Sequence, residues 1–183
     1  DRIIAALARV PSHMRPALHW VCNDEDASYR RRIEEQARKA DVRLEVFVLI
    51  SDEELVRQLQ EAVAMVYAPR LEPFGLAPLE ANACGTPAIG VAEGGVRETI
   101  EDGVNGILVR DALPDSIAQA IRVLIENPSL RKRLSCQAVE HVQARWNMGS
   151  GIDRIETHLA QVAQECPDGS LRPEHRLCAT GLA

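Results

Sequence analysis

Short apolar runs alternate with amphipathic segments along most of this chain, and that alternation restricts the fold more than any other feature. Residues 17–22 (ALHWVC), 42–50 (VRLEVFVLI), 62–67 (AVAMVY), 87–91 (PAIGV) and 107–109 (ILV) are runs of strand length, the second especially rich in β-branched residues. Between them the apolar period lengthens. Ile3, Ile4, Leu7 and Ala8 recur at helical spacing within residues 1–10. Residues 29–40 read as a charged amphipathic helix, and Ser51 with Glu54 three residues on makes a capping box for a helix reaching about residue 61. A further helix ends at Cys84, where Gly85 stops it. From Pro114 onward the pattern predicts helices over about 115–126, 129–144 and 150–165. Strands that alternate with helices pair in parallel through right-handed crossovers. The predicted fold class is therefore α/β: a Rossmann-like doubly wound parallel sheet with helices on both faces. Ligands of such sheets bind beyond the carboxyl ends of the strands, near the switch in strand order.

With 183 residues and 46% apolar content, the chain has material for one good core or two small ones. Residues 1–165 are expected to form one lobe with a helical C-terminal part. Residues 166–183 have two prolines, two glycines and no period, so an irregular tail is expected. Asp1 stands at the head of a helical pattern, which reads as a point inside a longer protein. The formal charge of −6 argues against a nucleic-acid phosphate clamp. The arginines near residue 30 lie a turn from Glu34 and Glu35, as on a solvated helix face. No apolar run approaches the ~18 residues that span a bilayer. Five scattered cysteines without C-x-x-C fit a reducing, cytoplasmic setting, and the histidines show no H-x-x-x-H metal spacing.

The stretch Glu72-Pro-Phe-Gly-Leu-Ala-Pro-Leu-Glu80 opens beyond the third strand and places two carboxylates around an apolar, glycine-marked turn. Glu72 precedes Pro73, so its backbone is pushed to an extended conformation. Gly75 allows a close backbone approach, and the amides of Phe74, Gly75 and Leu76 at a helix start can bind anions or hydroxyl oxygens. On a helical wheel, Leu76, Leu79 and Ala83 form the expected buried stripe with Glu80 at its margin. Glu80 either complements the helix dipole or accepts hydrogen bonds from ligand hydroxyls such as a ribose diol; Glu72 is either a surface loop acid or a ligand contact. Gly94 and Gly95 are either a tight turn or a backbone that faces ligand. Arg70 and Arg97 flank these loops and could serve a phosphate. A glycosidase pair is disfavoured, because both acids enter from one loop and one helix rather than flanking a bond. Cys84 reads as core packing, with a thiol pKa raised at a helix C-terminus.

The run Glu72 to Val109, EPFGLAPLEANACGTPAIGVAEGGVRETIEDGVNGILV, closely resembles the carboxyl-terminal lobe of retaining GT-B glycosyltransferases, the group 1 family or glycosyltransferase family 4. The resembling features are E-x7-E at Glu72 and Glu80, a small-residue helix, G-T-P, a glycine pair and an N-G turn. The resemblance implies a donor-binding lobe that takes a nucleoside-diphosphate sugar. It implies transfer of a hexosyl group to an acceptor hydroxyl with retention, no cofactor and no metal. Glu72 would then act at the transferred sugar as the catalytic residue. The backbone of Phe74, Gly75 and Leu76 would bind sugar or phosphate oxygens, Glu80 would hold the ribose, and Gly94 and Gly95 would join the donor site. An amino-terminal lobe would bind the acceptor, and the full-length protein could lie peripheral to a membrane. The family's phosphate-binding Arg and Lys and the lobe's first, central strand precede the point where this sequence starts. Exposed strand edges, a strand swap or a homo-oligomer, and inactivity of the chain alone are therefore expected. The competing readings are a non-catalytic sugar-nucleotide-binding module, or a sugar-nucleotide epimerase or phosphorylase on a related lobe.

Overall fold

In the computed structural model, which describes residues 1–70 and 72–165, all five expected strands form and every connection between paired strands carries a helix. The first unit, Asp1–Gln143, holds the sheets. Its order is α1 (Arg2–Leu7), a 3-10 turn (Ser12–Met14), β1 (Leu18–Cys22), α2 (Ala27–Lys39), β2 (Leu44–Val48), α3 (Asp52–Glu61) and β3 (Met65–Tyr67). Then follow α4 (Leu76–Ala83), β4 (Ala88–Val91), α5 (Val96–Thr99), β5 (Gly106–Val109), α6 (Pro114–Glu126) and α7 (Pro128–Arg145). Two of the helices, α2 and α3, begin where a polar side chain satisfies one of the first amides. The Asp26 carboxylate accepts from the Tyr29 N–H at 2.7 Å, and Ser51 Oγ accepts from the Glu54 N–H at 3.3 Å. Pro114 opens α6, where a missing N–H costs nothing.

All strand pairs are parallel, as the crossovers require. The ladder, however, forms two sheets rather than one. β1 pairs with β2 from Leu18↔Leu44 to Cys22↔Val48, and β3–β4–β5 forms a second sheet with Met65↔Ala88 and Ala88↔Gly106 in register. β4 is buried along its whole length, which suits its continuous apolar sequence. Beneath the sheets, Ile4, Leu7 and Val10 meet Ile33, Ile89, Val91, Ile117, Leu124 and Leu134 in one core. Burial of such aliphatic side chains contributes roughly 1.5–3 kcal/mol each.

The second unit is Ala144–Ala183. Its described part contains α8 (Met148–Glu165), where Asn147 Oδ1 accepts from the Ser150 N–H at 2.8 Å and so caps the first turn. Met148, Ile152, Ile155 and Leu159 make an exposed apolar stripe along it. The tail expected over 166–183 lies outside the described residues. Among the described residues, no helix is long and apolar enough to cross a membrane.

Candidate functional site

Tyr67 ends β3, and the chain then passes through the acidic turn into α4, so Glu72 lies beyond the carboxyl end of an edge strand of the β3–β4–β5 sheet. The Glu72 side chain turns back onto its own loop. Its carboxylate accepts from the Gly75 N–H at 3.1 Å and, more weakly, from the Phe74 N–H at 3.5 Å. It also hydrogen-bonds the Tyr67 side chain. The Tyr67 phenol is pushed up to about 12, first by burial and then by Glu72 and Glu80, whose negative charge opposes a phenolate.

Gly75 stands at the head of α4 with φ of +93°, a left-handed conformation that favours glycine. With no side chain there to cap the helix, the amides of Leu76 and Ala77 point outward, while Pro78 has no N–H to offer. The amides of Phe74, Gly75 and Leu76 are the ligand-binding donors expected from the sequence. The structure engages the first two with Glu72, so the open donors at this helix start are Leu76 and Ala77.

The buried stripe expected on α4 is rotated. Leu76 is 62% exposed and Ala83 is exposed, whereas Pro78, Leu79, Ala81 and Asn82 are buried. A polar anchor causes this rotation: Asn82 Nδ2 donates to Thr86 O and to Asn105 O, both at 3.0 Å. Asn105 in turn donates from Nδ2 to Thr99 O and accepts from the Glu101 N–H, each at 2.8 Å. Glu80 consequently stands exposed rather than at the margin of a buried face.

Gly94 and Gly95 are pressed against the acidic turn. A Cβ at Gly94 would lie 2.2 Å from Glu72 O; one at Gly95 would lie 2.3 Å from Pro73 O and 2.4 Å from Phe74 Cα. The Gly95 N–H donates to Glu72 O at 3.0 Å. The pair therefore clamps the turn that carries Glu72, and this packing relation had no local signal in the sequence. Arg97 reaches back to Ala92 O at 2.7 Å, and Arg70 is exposed.

A cavity of about 880 Å³ opens against Tyr67, Ala68, Pro69, Ala77 and Glu80. Arg2 also lines it, with Nη1 donating to Ala68 O at 3.4 Å. Tyr67 and Arg2 carry no motif in the sequence; the one signal for Tyr67 is its place at the last position of a strand. The Cys84 thiol is pushed up by burial and then by Glu80, so the direction is as expected although the helix end is not its cause. Among the described residues, no three His, Cys, Asp or Glu side chains converge as a metal site would require.

A strand end, a helix start with open amides and two carboxylates can together hold a ligand rich in hydroxyls and negative charge. Comparison with known proteins identifies the family. The sequence profile described as "Glycosyl transferases group 1" matches residues 1–141. D-inositol 3-phosphate glycosyltransferase 1 of Catenulispora acidiphila is 36% identical over 102 residues, 56% of this chain and 24% of that protein. An alpha-1,3/1,6-mannosyltransferase of Rhizomucor pusillus is 28% identical over 131 residues, covering 72% of this chain and 29% of its own length. The chain thus spans about a quarter of the length of the curated relatives it matches. Among solved structures, sucrose-phosphate synthase from Thermosynechococcus elongatus superimposes with a TM-score of 0.71 at 30% identity, over 92% of this chain and 42% of that one. Anabaena HepE in complex with UDP-glucose superimposes with a TM-score of 0.72 at 24% identity, over 87% of this chain and 44% of that one, a likeness of fold.

Proposed function

The chain belongs to the group 1 glycosyl transferases, and from that premise we propose that it is the donor-binding lobe of a retaining enzyme. The enzyme moves a hexosyl group from a nucleoside-diphosphate sugar to an acceptor hydroxyl. The observation that carries the proposal is the pairing of Glu80, on the cavity rim, with the open amides of Leu76 and Ala77 one turn before it.

Each part of the donor meets a group suited to it. Glu80 accepts hydrogen bonds from the two ribose hydroxyls, which a carboxylate with two oxygens can take together. The start of α4 faces sugar or phosphate oxygens, and its positive dipole end favours the charge that develops on the departing diphosphate. Glu72 lies nearer the transferred sugar. Its bonds to Phe74 and Gly75 hold the carboxylate in one orientation, and the Gly94–Gly95 clamp fixes the loop beneath it. The reaction runs without a resident metal, so chelation leaves turnover unchanged. Acceptor recognition belongs to an amino-terminal lobe, and the 183-residue chain by itself binds donor weakly and turns nothing over.

The test is made on the full-length protein, with donor and acceptor affinities measured separately. Glu80→Gln is expected to weaken donor binding about 10-fold, near 1.4 kcal/mol, and to leave acceptor binding unchanged. An equal loss on both sides would remove the ribose assignment. The anomeric configuration of the product, read by NMR, tests retention directly.

A further inference from the structure

The Glu72 carboxylate takes hydrogen bonds from two sources that differ in what they are fixed to. The Phe74 and Gly75 amides lie two and three residues on in the same loop, and both reach Oε1. They turn with the loop, so they orient the carboxylate relative to the loop alone. The Phe74 contact is also long, at 3.5 Å. The second source is the Tyr67 phenol, and Tyr67 belongs to β3. A bond from Tyr67 refers the carboxylate to the sheet.

Packing leaves the Tyr67 ring little freedom. The register pairs Tyr67 with Gly90 of β4, so the two residues share one face of the sheet. With no side chain at Gly90, α5 and the residue after it close onto that face. A Cβ at Gly90 would lie 2.5 Å from Ile100 Cδ1 and 2.7 Å from Val96 Cγ1. Ala88, Val96 and Ile100 form a small buried cluster, and Tyr67 packs against it. The head of α4 meets the ring as well: a Cβ at Gly75 would lie 3.6 Å from Tyr67 Cε1 and 3.7 Å from Val96 Cγ2. The ring is thus wedged among β4, α5 and the Gly75 turn, and that wedge carries the hydroxyl to Glu72. A half-buried tyrosine that packs by its ring and bonds by its hydroxyl uses both parts of the side chain.

The phenol also remains a donor. Burial, then Glu72 and Glu80, push it up to about 12, so it keeps its proton at neutral pH. Tyr67 and Glu80 line the same cavity, and the charges of Glu72 and Glu80 both bear on this one hydroxyl.

We propose that Tyr67 is the positioning residue of this site: its hydroxyl donates to the Glu72 carboxylate and ties that carboxylate to β3, independently of the loop. The inference rests on the proposed place of Glu72 at the transferred sugar. Tyr67 acts through Glu72 and not on the reacting atoms. Loss of the hydroxyl therefore lowers turnover and leaves donor affinity in place, the reverse of the split expected for Glu80→Gln.

The test uses the full-length protein. Turnover is read as nucleoside diphosphate released from UDP-, ADP- and GDP-glucose offered in turn, and amide hydrogen exchange is read without ligand. Tyr67→Phe keeps the ring and removes only the donor. It is expected to lower kcat about 10-fold while the donor KM stays within about twofold. Exchange at Gly75 is expected to quicken about 10-fold, with Met65, bonded to Pro87 O within the sheet, unchanged. Added to Glu72→Ala, Tyr67→Phe is expected to cost nothing more, because no carboxylate is left to position. An unchanged kcat in Tyr67→Phe, where Glu72→Ala does lower it, would overturn the proposal. So would an equal loss from Tyr67→Phe with and without Glu72, which would place the action of the phenol elsewhere. No release from any donor, or no effect of Glu72→Ala, would instead remove the donor-site reading of Glu72. Exchange then decides the tie by itself: faster exchange at Gly75 in Tyr67→Phe supports it, and unchanged exchange overturns it.

Discussion

At the residue scale the glycine clamp and the asparagine pair bear the most weight. A Cβ at Gly95 would lie 2.3 Å from Pro73 O and 2.4 Å from Phe74 Cα, and backbone cannot move aside cheaply. Gly95→Ala is therefore expected to cost about 1–3 kcal/mol in urea unfolding and to loosen the turn that holds Glu72. Asn105 is fully buried and serves both the Thr99 carbonyl and the Glu101 amide. Asn105→Ala strands both partners and is expected to cost about 1–3 kcal/mol by the same measurement. Tyr67 gives a spectroscopic test. Its folded pKa of about 12 lies above its ordinary value, so the associated stability is present below that ordinary value and is lost as pH rises through about 12. Ultraviolet titration of the folded chain is expected to show a phenol ionising near about 12, and Tyr67→Phe is expected to abolish that step.

At the scale of elements, caps and periods were legible and faces were not. The capping box read from Ser51 and Glu54 forms as a hydrogen bond from the Glu54 N–H to Ser51 Oγ, so Ser51→Ala is expected to cost about 1 kcal/mol in thermal unfolding. The strands were legible because a parallel sheet demands continuous apolar runs, and the punctuation by Gly85, Asp102-Gly103 and Asn105-Gly106 marked where they turn. The orientation of α4 was not legible. Its wheel placed Leu76 in the core, yet Asn82 is fully buried and Leu76 is out. The helix is turned by hydrogen bonds from Asn82 to Thr86 and to Asn105, and the second partner is 23 residues away in sequence. Local periodicity holds no information about such a partner. The Gly94–Gly95 contact on Glu72 and Pro73 was hidden for the same reason, since it joins two strand-end loops that only the folded sheet brings together. The motif itself was legible: the two acids, the glycine and the helix start lie where a strand's carboxyl end opens.

At the scale of the molecule, the chain belongs to the group 1 glycosyl transferases, and its five strands divide into two parallel sheets, β1–β2 and β3–β4–β5. The site sits on one side of that division. The Leu76 and Ala77 amides and Glu80 belong to α4, anchored on the β3–β4–β5 sheet, and Tyr67, Ala68 and Pro69 come from the end of β3 and the loop after it, while Arg2 comes from α1. Donor binding to the chain alone should therefore draw on the α4 half and remain weak. The central claim is that this helix start and Glu80 hold a nucleoside-diphosphate sugar. It is tested most directly by following backbone amide NMR shifts while UDP-glucose is titrated into the 183-residue chain, unmodified and as Glu80→Gln. The account predicts saturable shifts centred on Leu76 and Ala77, with a Kd of roughly 1 mM, that weaken severalfold in the variant. Shifts centred elsewhere, or a titration that Glu80→Gln leaves unchanged, would contradict it.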